Sequence, residues 1–211
     1  MSRFPSVVRQ LLAGLRGLLI FTVICGILYP LVVYGIGQVA FSKQANGSLI
    51  SFHGKVAGSS LLCQEFIDAK GNPLAQYFQP RPSASATSAS NQTGGCNPLA
   101  SGASNLGPNN KLLVADIRQR QRQIAAFDYV PVSAIPADAV TASASGLEAF
   151  ISPQNAAIQV RRVAAARHIS PALVRSLVAR YRSGRTLGFL GEPRVNVVLL
   201  NLALDRRYPV P

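Results

Sequence analysis

Residues 17–41 read GLLIFTVICGILYPLVVYGIGQVAF, 25 positions without one formal charge. About 20 such residues cross the hydrocarbon core of a bilayer as a helix, so this run commits the chain to a transmembrane segment. A secretory signal peptide is the rival, but its apolar core is about 7 to 15 residues long and needs small residues at the cleavage site. Gln38 before Ala40 is a poor site of that kind, and a retained anchor is expected. Pro30 within the run removes a backbone N–H and forces a local adjustment of the helix. Gly35 and Gly37 thin the rod and are candidate contacts with a partner helix, although the strict G-x-x-x-G spacing is missing.

Arg3, Arg9 and Arg16 precede the span and only Lys43 follows closely. The positive-inside bias then keeps residues 1–16 cytoplasmic and sends residues 42–211 outside. Across the chain 21 Lys and Arg outweigh 8 Asp and Glu, a net charge of +13. Such an excess suits nucleic acid, an anionic membrane surface or an acidic protein partner. Nucleic acid is disfavoured, because the arginines are scattered, Trp is absent and no zinc-finger spacing accompanies them. The three cysteines, Cys25, Cys63 and Cys96, have no C-x-x-C spacing and no histidine placed to complete a metal site. Cys25 reads as a small apolar residue of the span, and Cys63 and Cys96 could pair only in an oxidising compartment.

The remaining chain has the pattern of a single mixed α+β extracytoplasmic domain. Strands are expected at 48–52, 60–66, 138–143 and 194–200, the last from the apolar, β-branched run that follows Pro193. Residues 79–110, QPRPSASATSASNQTGGCNPLASGASNLGPNN, form a long Gly/Ser/Pro-rich loop, and loops of that length are commonly functional or disordered. After Pro108 the stripe Leu113, Ile117, Ile124 and Phe127 predicts a helix, with Arg118, Arg120 and Arg122 mainly on its other side. Ser152-Pro153 and Ser170-Pro171 each place an N-cap before a proline at the first helical position. These predict helices running to about Arg167 and Arg182, three helices packed on a modest sheet.

Catalytic chemistry finds little support. Only His53 and His168 could serve as neutral-pH bases, neither with an Asp nearby in sequence. The eight carboxylates, Glu65, Asp68, Asp116, Asp128, Asp138, Glu148, Glu192 and Asp205, show no close pair or metal-ligand spacing. No G-x-x-x-x-G-K-[ST] phosphate loop occurs. A membrane-tethered extracytoplasmic hydrolase is the alternative reading, and removing both histidines would expose it. The stretch 101–108, SGASNLGP, could in principle wrap N–H groups around an anion, with Ser101, Gly102, Ser104, Asn105 and Gly107 as candidate contacts. The competing reading is a turn-rich element that shapes the domain surface.

Longer stretches carry a resemblance. QANGSLI at 44–50, GKVAGS at 54–59, YFQPRPSA at 77–84, NPLASGASNLGP at 97–108, VPVSAIPADAVTASASGLEAFISPQNA at 130–156 and GRTLGFLGEPRVNVVLLNLALD at 184–205 resemble the C subunit of the bacterial Kdp potassium-transporting P-type ATPase. The resemblance runs nearly end to end and implies a non-catalytic, single-span subunit. Its partners would be a channel-like potassium-binding subunit, an ATP-hydrolysing P-type subunit and a small single-span one. It also implies a catalytic chaperone that raises the pump's affinity for ATP, which makes ATP a candidate ligand of the 101–108 loop. ATP is cytoplasmic, however, and the arginine flank sends that loop outside. A Leu-Ser-Glu-Glu-Gln stretch used for nucleotide contact in this family corresponds to Ile169, Ser170, Pro171, Ala172 and Leu173, so the glutamine is absent. Cys63, Cys96 and the stretch 85–95 look like local additions, and Leu199 stands where an acidic residue is usual. Arg81, Pro82, Ser83 and Pro108 join Gly35 and Gly37 as expected partner-contact or shaping positions.

Overall fold

In the computed structural model, which describes residues 5–85 and 96–210, the apolar run lies within a continuous rod, Ser6–Ala40. Arg3 and residues 86–95 fall outside the described residues. The rod consists of α1 (Ser6–Phe21), a π-helical stretch (Thr22–Leu28) and α2 (Tyr29–Ala40). The widened turns sit just before Pro30. In a regular α-helix the proline ring would strike the carbonyl four residues earlier, that of Gly26, and i→i+5 spacing opens room for it. No described residue of these three segments is buried, and most of their apolar side chains are exposed. The rod is long and apolar enough to cross a membrane. The short α3 (Ser42–Ala45) follows, and Asn46 ties its side-chain amide to the Ser42 carbonyl at 2.7 Å and to Gln38 Oε1 at 3.1 Å.

Residues 49–211 make a second unit with its own core. It opens with an antiparallel hairpin, β1 (Leu49–Phe52) and β2 (Lys55–Ser59), joined at His53-Gly54. Both joining residues have positive φ, 49° and 78°, the geometry that matches strand twist in a two-residue turn. The expected strand at 60–66 is not there. β2 ends at Ser59, and the chain then makes only an isolated bridge between Leu62 and Glu148.

The helical half begins with α4 (Lys111–Asp128), capped by the Asn110 carboxamide, which accepts from the Leu112 N–H at 2.8 Å. Leu113, Ile117, Ile124 and Phe127 are half-buried along one side of it. Arg118 and Arg122 are exposed, but Arg120 turns inward and donates to the Val140 carbonyl at 3.0 Å. That carbonyl belongs to α5 (Ala137–Val140), which replaces the strand expected at 138–143. Pro136 opens this single helical turn. Asp138 then reaches across to Ser152, accepting from its N–H at 2.8 Å and its hydroxyl at 2.7 Å.

The helices α6 (Pro153–Ala166) and α7 (Pro171–Arg180) start as expected, each capped by its serine. β3 (Phe150–Ile151) precedes them, and β4 (Arg182–Ser183) and β5 (Arg194–Asn196) follow, an antiparallel sheet in the order β3-β5-β4. The strand expected over 194–200 stops after three residues. Asn196 turns the chain by accepting from the Leu199 N–H at 2.9 Å, and α8 (Val197–Arg207) begins. Val197, Leu200, Asn201 and Leu204 recur at helical spacing and all are buried, so packing overrides the β propensity of the two valines. Phe78, fully buried, sits in the core with residues of α6, α7, α8, β3 and β5.

Candidate functional site

The polar interior explains how the long irregular segments are held. Residues 75–77 form a turn and a bend, with the Tyr77 N–H on the Leu74 carbonyl at 3.2 Å, and the carbonyls of 75–79 bond to side chains. Arg162 donates through Nη1 to the carbonyls of Ala75 (2.7 Å) and Tyr77 (2.8 Å), and Arg167 Nε donates to that of Gln76 (2.7 Å). Asn201 brackets Phe78, accepting its N–H and donating to its carbonyl, both at 2.9 Å. Gln159 does the same for Gln79, at 2.7 and 3.2 Å. A planar guanidinium presents its donors in a fixed fork, and a carboxamide offers one donor side and one acceptor side. These shapes satisfy backbone groups that no strand or helix pairs.

The ties are themselves paired. Arg162 Nε donates to Asp128 Oδ1 at 2.7 Å, with both side chains almost fully buried, and the guanidinium lies 4.2 Å from the Phe127 ring centre. Burial pushes the Asp128 carboxyl up and the Arg162 guanidinium down, each opposed by the charge of the other. Arg167 Nη2 holds Asp205 Oδ1 at 2.7 Å, and Tyr77 donates its hydroxyl to Asp205 Oδ2 at 3.3 Å. Burial first, and then the Asp205 charge, raise the Tyr77 hydroxyl, which stays a donor at neutral pH. The sequence pattern gave no sign of these ties. Arg162 and Arg167 stand near a helix end, where a role in the dipole is the local reading.

Segment 75–79 delivers the chain to Pro80 and the first group of expected site residues. Arg81 is half-buried and its Nη2 lies 3.4 Å from the Thr141 carbonyl. Pro82 and Ser83 are buried. Ser83 donates its hydroxyl to the Gly146 carbonyl at 2.8 Å, and its oxygen lies 2.7 Å from that of Ser85. The turn at 143–147 is a node on which several strands of chain converge. Gly102 donates its N–H, and Ser101 its hydroxyl, to the Ser145 carbonyl, both at 2.9 Å. The Cys63 N–H donates to Leu147 at 3.0 Å, and Cys63 is joined to Cys96 in a disulfide with Cα atoms 5.9 Å apart. That separation is ordinary for an unforced bridge, and the option left open by the sequence is thereby settled.

Gly146 is the tightest point of the node. Its φ is +70°, and a Cβ there would lie 2.7 Å from both the Gly102 carbonyl oxygen and Ser85 Oγ. Glycine is required on both counts.

The 101–108 loop therefore divides by its bonds. Ser101, itself exposed, and half-buried Gly102 donate to Ser145, whereas Ser104, Asn105, Gly107 and Pro108 are exposed around the half-buried Leu106. Asn105 takes φ +53°, a conformation asparagine tolerates better than most side chains. In the rod, a Cβ on Gly37 would meet the Ala45 Cβ of α3 at 3.7 Å, an ordinary contact. Gly35 has open space beside it. His53 and His168 occupy turns at positive φ, 49° and 54°, one in the β1–β2 hairpin and one between α6 and α7. Among the described residues, no three His, Cys, Asp or Glu side chains gather closely enough to hold a metal.

One exposed feature escaped the sequence reading. The turn between β4 and β5 carries Leu187, Phe189 and Leu190 at 79, 69 and 50 % exposure. Three apolar residues set among Gly184, Gly188 and Gly191 are the available signal.

Comparison with known proteins covers both units. Residues 11–206 match the family model described as KdpC: K+-transporting ATPase, c chain. A protein of Methylococcus capsulatus named potassium-transporting ATPase KdpC subunit is 49 % identical over 188 residues, 89 % of this chain and 93 % of that one. Proteins of the same name from Mycobacterium bovis and Geobacter sulfurreducens are 47 % and 45 % identical, over 94 % and 95 % of this chain and 98 % and 100 % of theirs. The chain belongs to the KdpC family, the c chain of potassium-transporting ATPases.

Proposed function

We propose that this chain is the non-catalytic assembly subunit of an ATP-driven potassium uptake pump, anchored by its N-terminal rod and holding its folded domain on the extracytoplasmic side. Its partners are a channel-like potassium-binding subunit, an ATP-hydrolysing P-type subunit and a small single-span subunit, and the domain caps the channel-like partner near the ion entrance. Hydrolysis and ion passage lie on those chains.

The observation that carries the sidedness is the Cys63–Cys96 bridge at the centre of the domain's node. Disulfides of this structural kind persist in oxidising compartments and are rare where cytosolic thiols keep cysteines reduced. The bridge agrees with the arginine flank of the span, an independent signal. On this side of the membrane the 101–108 loop has no ATP to bind. Any rise in the pump's ATP affinity is then transmitted through the partners, and Ser101, Gly102, Ser104, Asn105 and Gly107 shape the domain surface. The donors that Ser101 and Gly102 commit to Ser145 support that reading.

The test is labelling of intact cells with a membrane-impermeant maleimide, using Leu99→Cys in a Cys25→Ser background. Leu99 is 95 % exposed and the native disulfide is left in place. Labelling before lysis is expected. Labelling only after lysis would place the domain in the cytosol and restore the phosphate-cradle reading of the loop.

A further inference from the structure

The β4–β5 turn is a built projection. Thr186 and Leu190 exchange main-chain hydrogen bonds, both 2.9 Å, and Arg185 Nη2 grips both carboxylate oxygens of Glu192 at 3.0 and 2.9 Å across the base. Gly188 and Gly191 take φ +84° and +76°, and Leu187 itself takes +54°, a conformation unusual for a bulky side chain. The result is a preformed knuckle whose three large apolar side chains face solvent. Scattered exposed apolar residues are ordinary on a protein surface, but three within four positions of a rigid turn mark a contact surface.

The knuckle stands beside a concave groove lined by Ser152, Pro153, Gln154, Arg182, Arg185 and Glu192. The N-terminal end of α6 borders it, its Ser152 N–H and hydroxyl already taken up by Asp138. Arg182 makes no ion pair among the described residues, and Arg185 shares the only carboxylate there. The groove is thus cationic, and the complementary occupant is acidic. A bilayer surface is flat and fills no groove beside a knuckle, whereas a protein loop fits both.

We infer that this knuckle and groove dock a protein partner that offers an apolar pocket for Leu187, Phe189 and Leu190, with a carboxylate at its edge for Arg182. The inference rests on the assembly reading above and identifies the surface through which that assembly is made: the occupant is an extracytoplasmic face of a multi-span pump subunit.

The experiment uses the full chain co-expressed with its pump partners, with a benzophenone amino acid placed at 189 and, as control, at 99. Position 189 is expected to cross-link to a multi-span subunit and position 99 is not. Cross-linking from 189 to lipid or to a second copy of this chain, or none at all, overturns the inference. In parallel, the Leu187→Asp, Phe189→Asp double variant is expected to lower co-purification of the multi-span subunits at least tenfold. Arg182→Glu should lower it about threefold and Arg182→Lys should restore it. Undiminished co-purification of the double variant overturns the docking site alone. Failure of the unsubstituted chain to co-purify with any multi-span subunit sinks the assembly reading and the docking site with it. Should the double variant misfold, the cross-link from 189 in the otherwise native chain decides.

Discussion

Residues 75–79 and 101–108 are both irregular backbone, and they are secured in opposite ways. The first threads through the core with its carbonyls and N–H groups held by Arg162, Arg167, Gln159 and Asn201. The second is tied to the 143–147 turn at its start, by Ser101 and Gly102, and from Ser104 onward all but Leu106 is exposed. The contrast separates two uses of polar residues. Where water is excluded, every backbone group needs a protein partner, and the side chains supplying it are structural. Where water is present, the same residue types are free to vary or to meet a partner.

The sharpest way to break this contrast is Arg162→Met. It orphans the carbonyls of Ala75 and Tyr77 and leaves Asp128 buried without its cation. A loss of about 3–5 kcal/mol is expected, the range for breaking a buried pair from one side. Urea unfolding of the full chain in detergent measures it. The deficit should also depend on pH. Asp128, already pushed up by burial from 3.8, rises further without Arg162. A carboxyl raised in the folded state contributes fully below its unfolded value and loses that contribution as pH rises through the folded one. The variant's deficit is therefore smallest in acid and grows toward neutrality. A deficit that shrinks toward neutrality would contradict the assigned direction.

Next is removal of the bridge. Cys63 and Cys96 are 33 positions apart, so replacing both by serine should cost about 3–4 kcal/mol on the chain-entropy account. A reductant should destabilise the native chain equally and the double variant not at all. Gly146→Ala follows, at about 2 kcal/mol or more, because strained φ and two contacts of 2.7 Å coincide there. If Gly146→Ala were silent, the node at 143–147 would be looser than its hydrogen bonds imply.

Those three sites differ in how visible they are from sequence, for a physical reason. The uncharged run and the Ser-Pro helix starts are local signals: α6 and α7 begin where the serines place them, and the rod holds nearly all of the uncharged run but starts earlier, at Ser6. α8 was read as a strand because a short β-branched run fits either state, and only the burial of Asn201 and Leu204 beyond it shows the helical period. Asp138 was assigned to a strand because its role, bonding Ser152 and Asn155, lies in a helix start 14 positions away. The ties on 75–79 reach across 80 to 123 residues, from Gln159 to Gln79 and from Asn201 to Phe78. No local periodicity encodes such a pairing. The 101–108 stretch was noticed because its composition is unusual, yet composition could not say which of its donors bond to Ser145.

The smallest expected effect tests the exposed side of the comparison. Ser104→Ala should change stability by no more than about 0.5 kcal/mol, as for other surface positions without a cap, a buried bond or special backbone. Ser101→Ala, only three positions earlier, removes the hydroxyl donated to Ser145, and a net cost of about 1 kcal/mol is expected. Thermal unfolding of the two variants side by side measures the difference within one loop. If Ser104→Ala costs as much as Ser101→Ala, the outer half of the loop is held by contacts of its own and the division between the halves fails. If Ser104→Ala is silent for folding but lowers the activity of the assembled pump, the exposed half serves a partner, as water-facing polar residues are free to do.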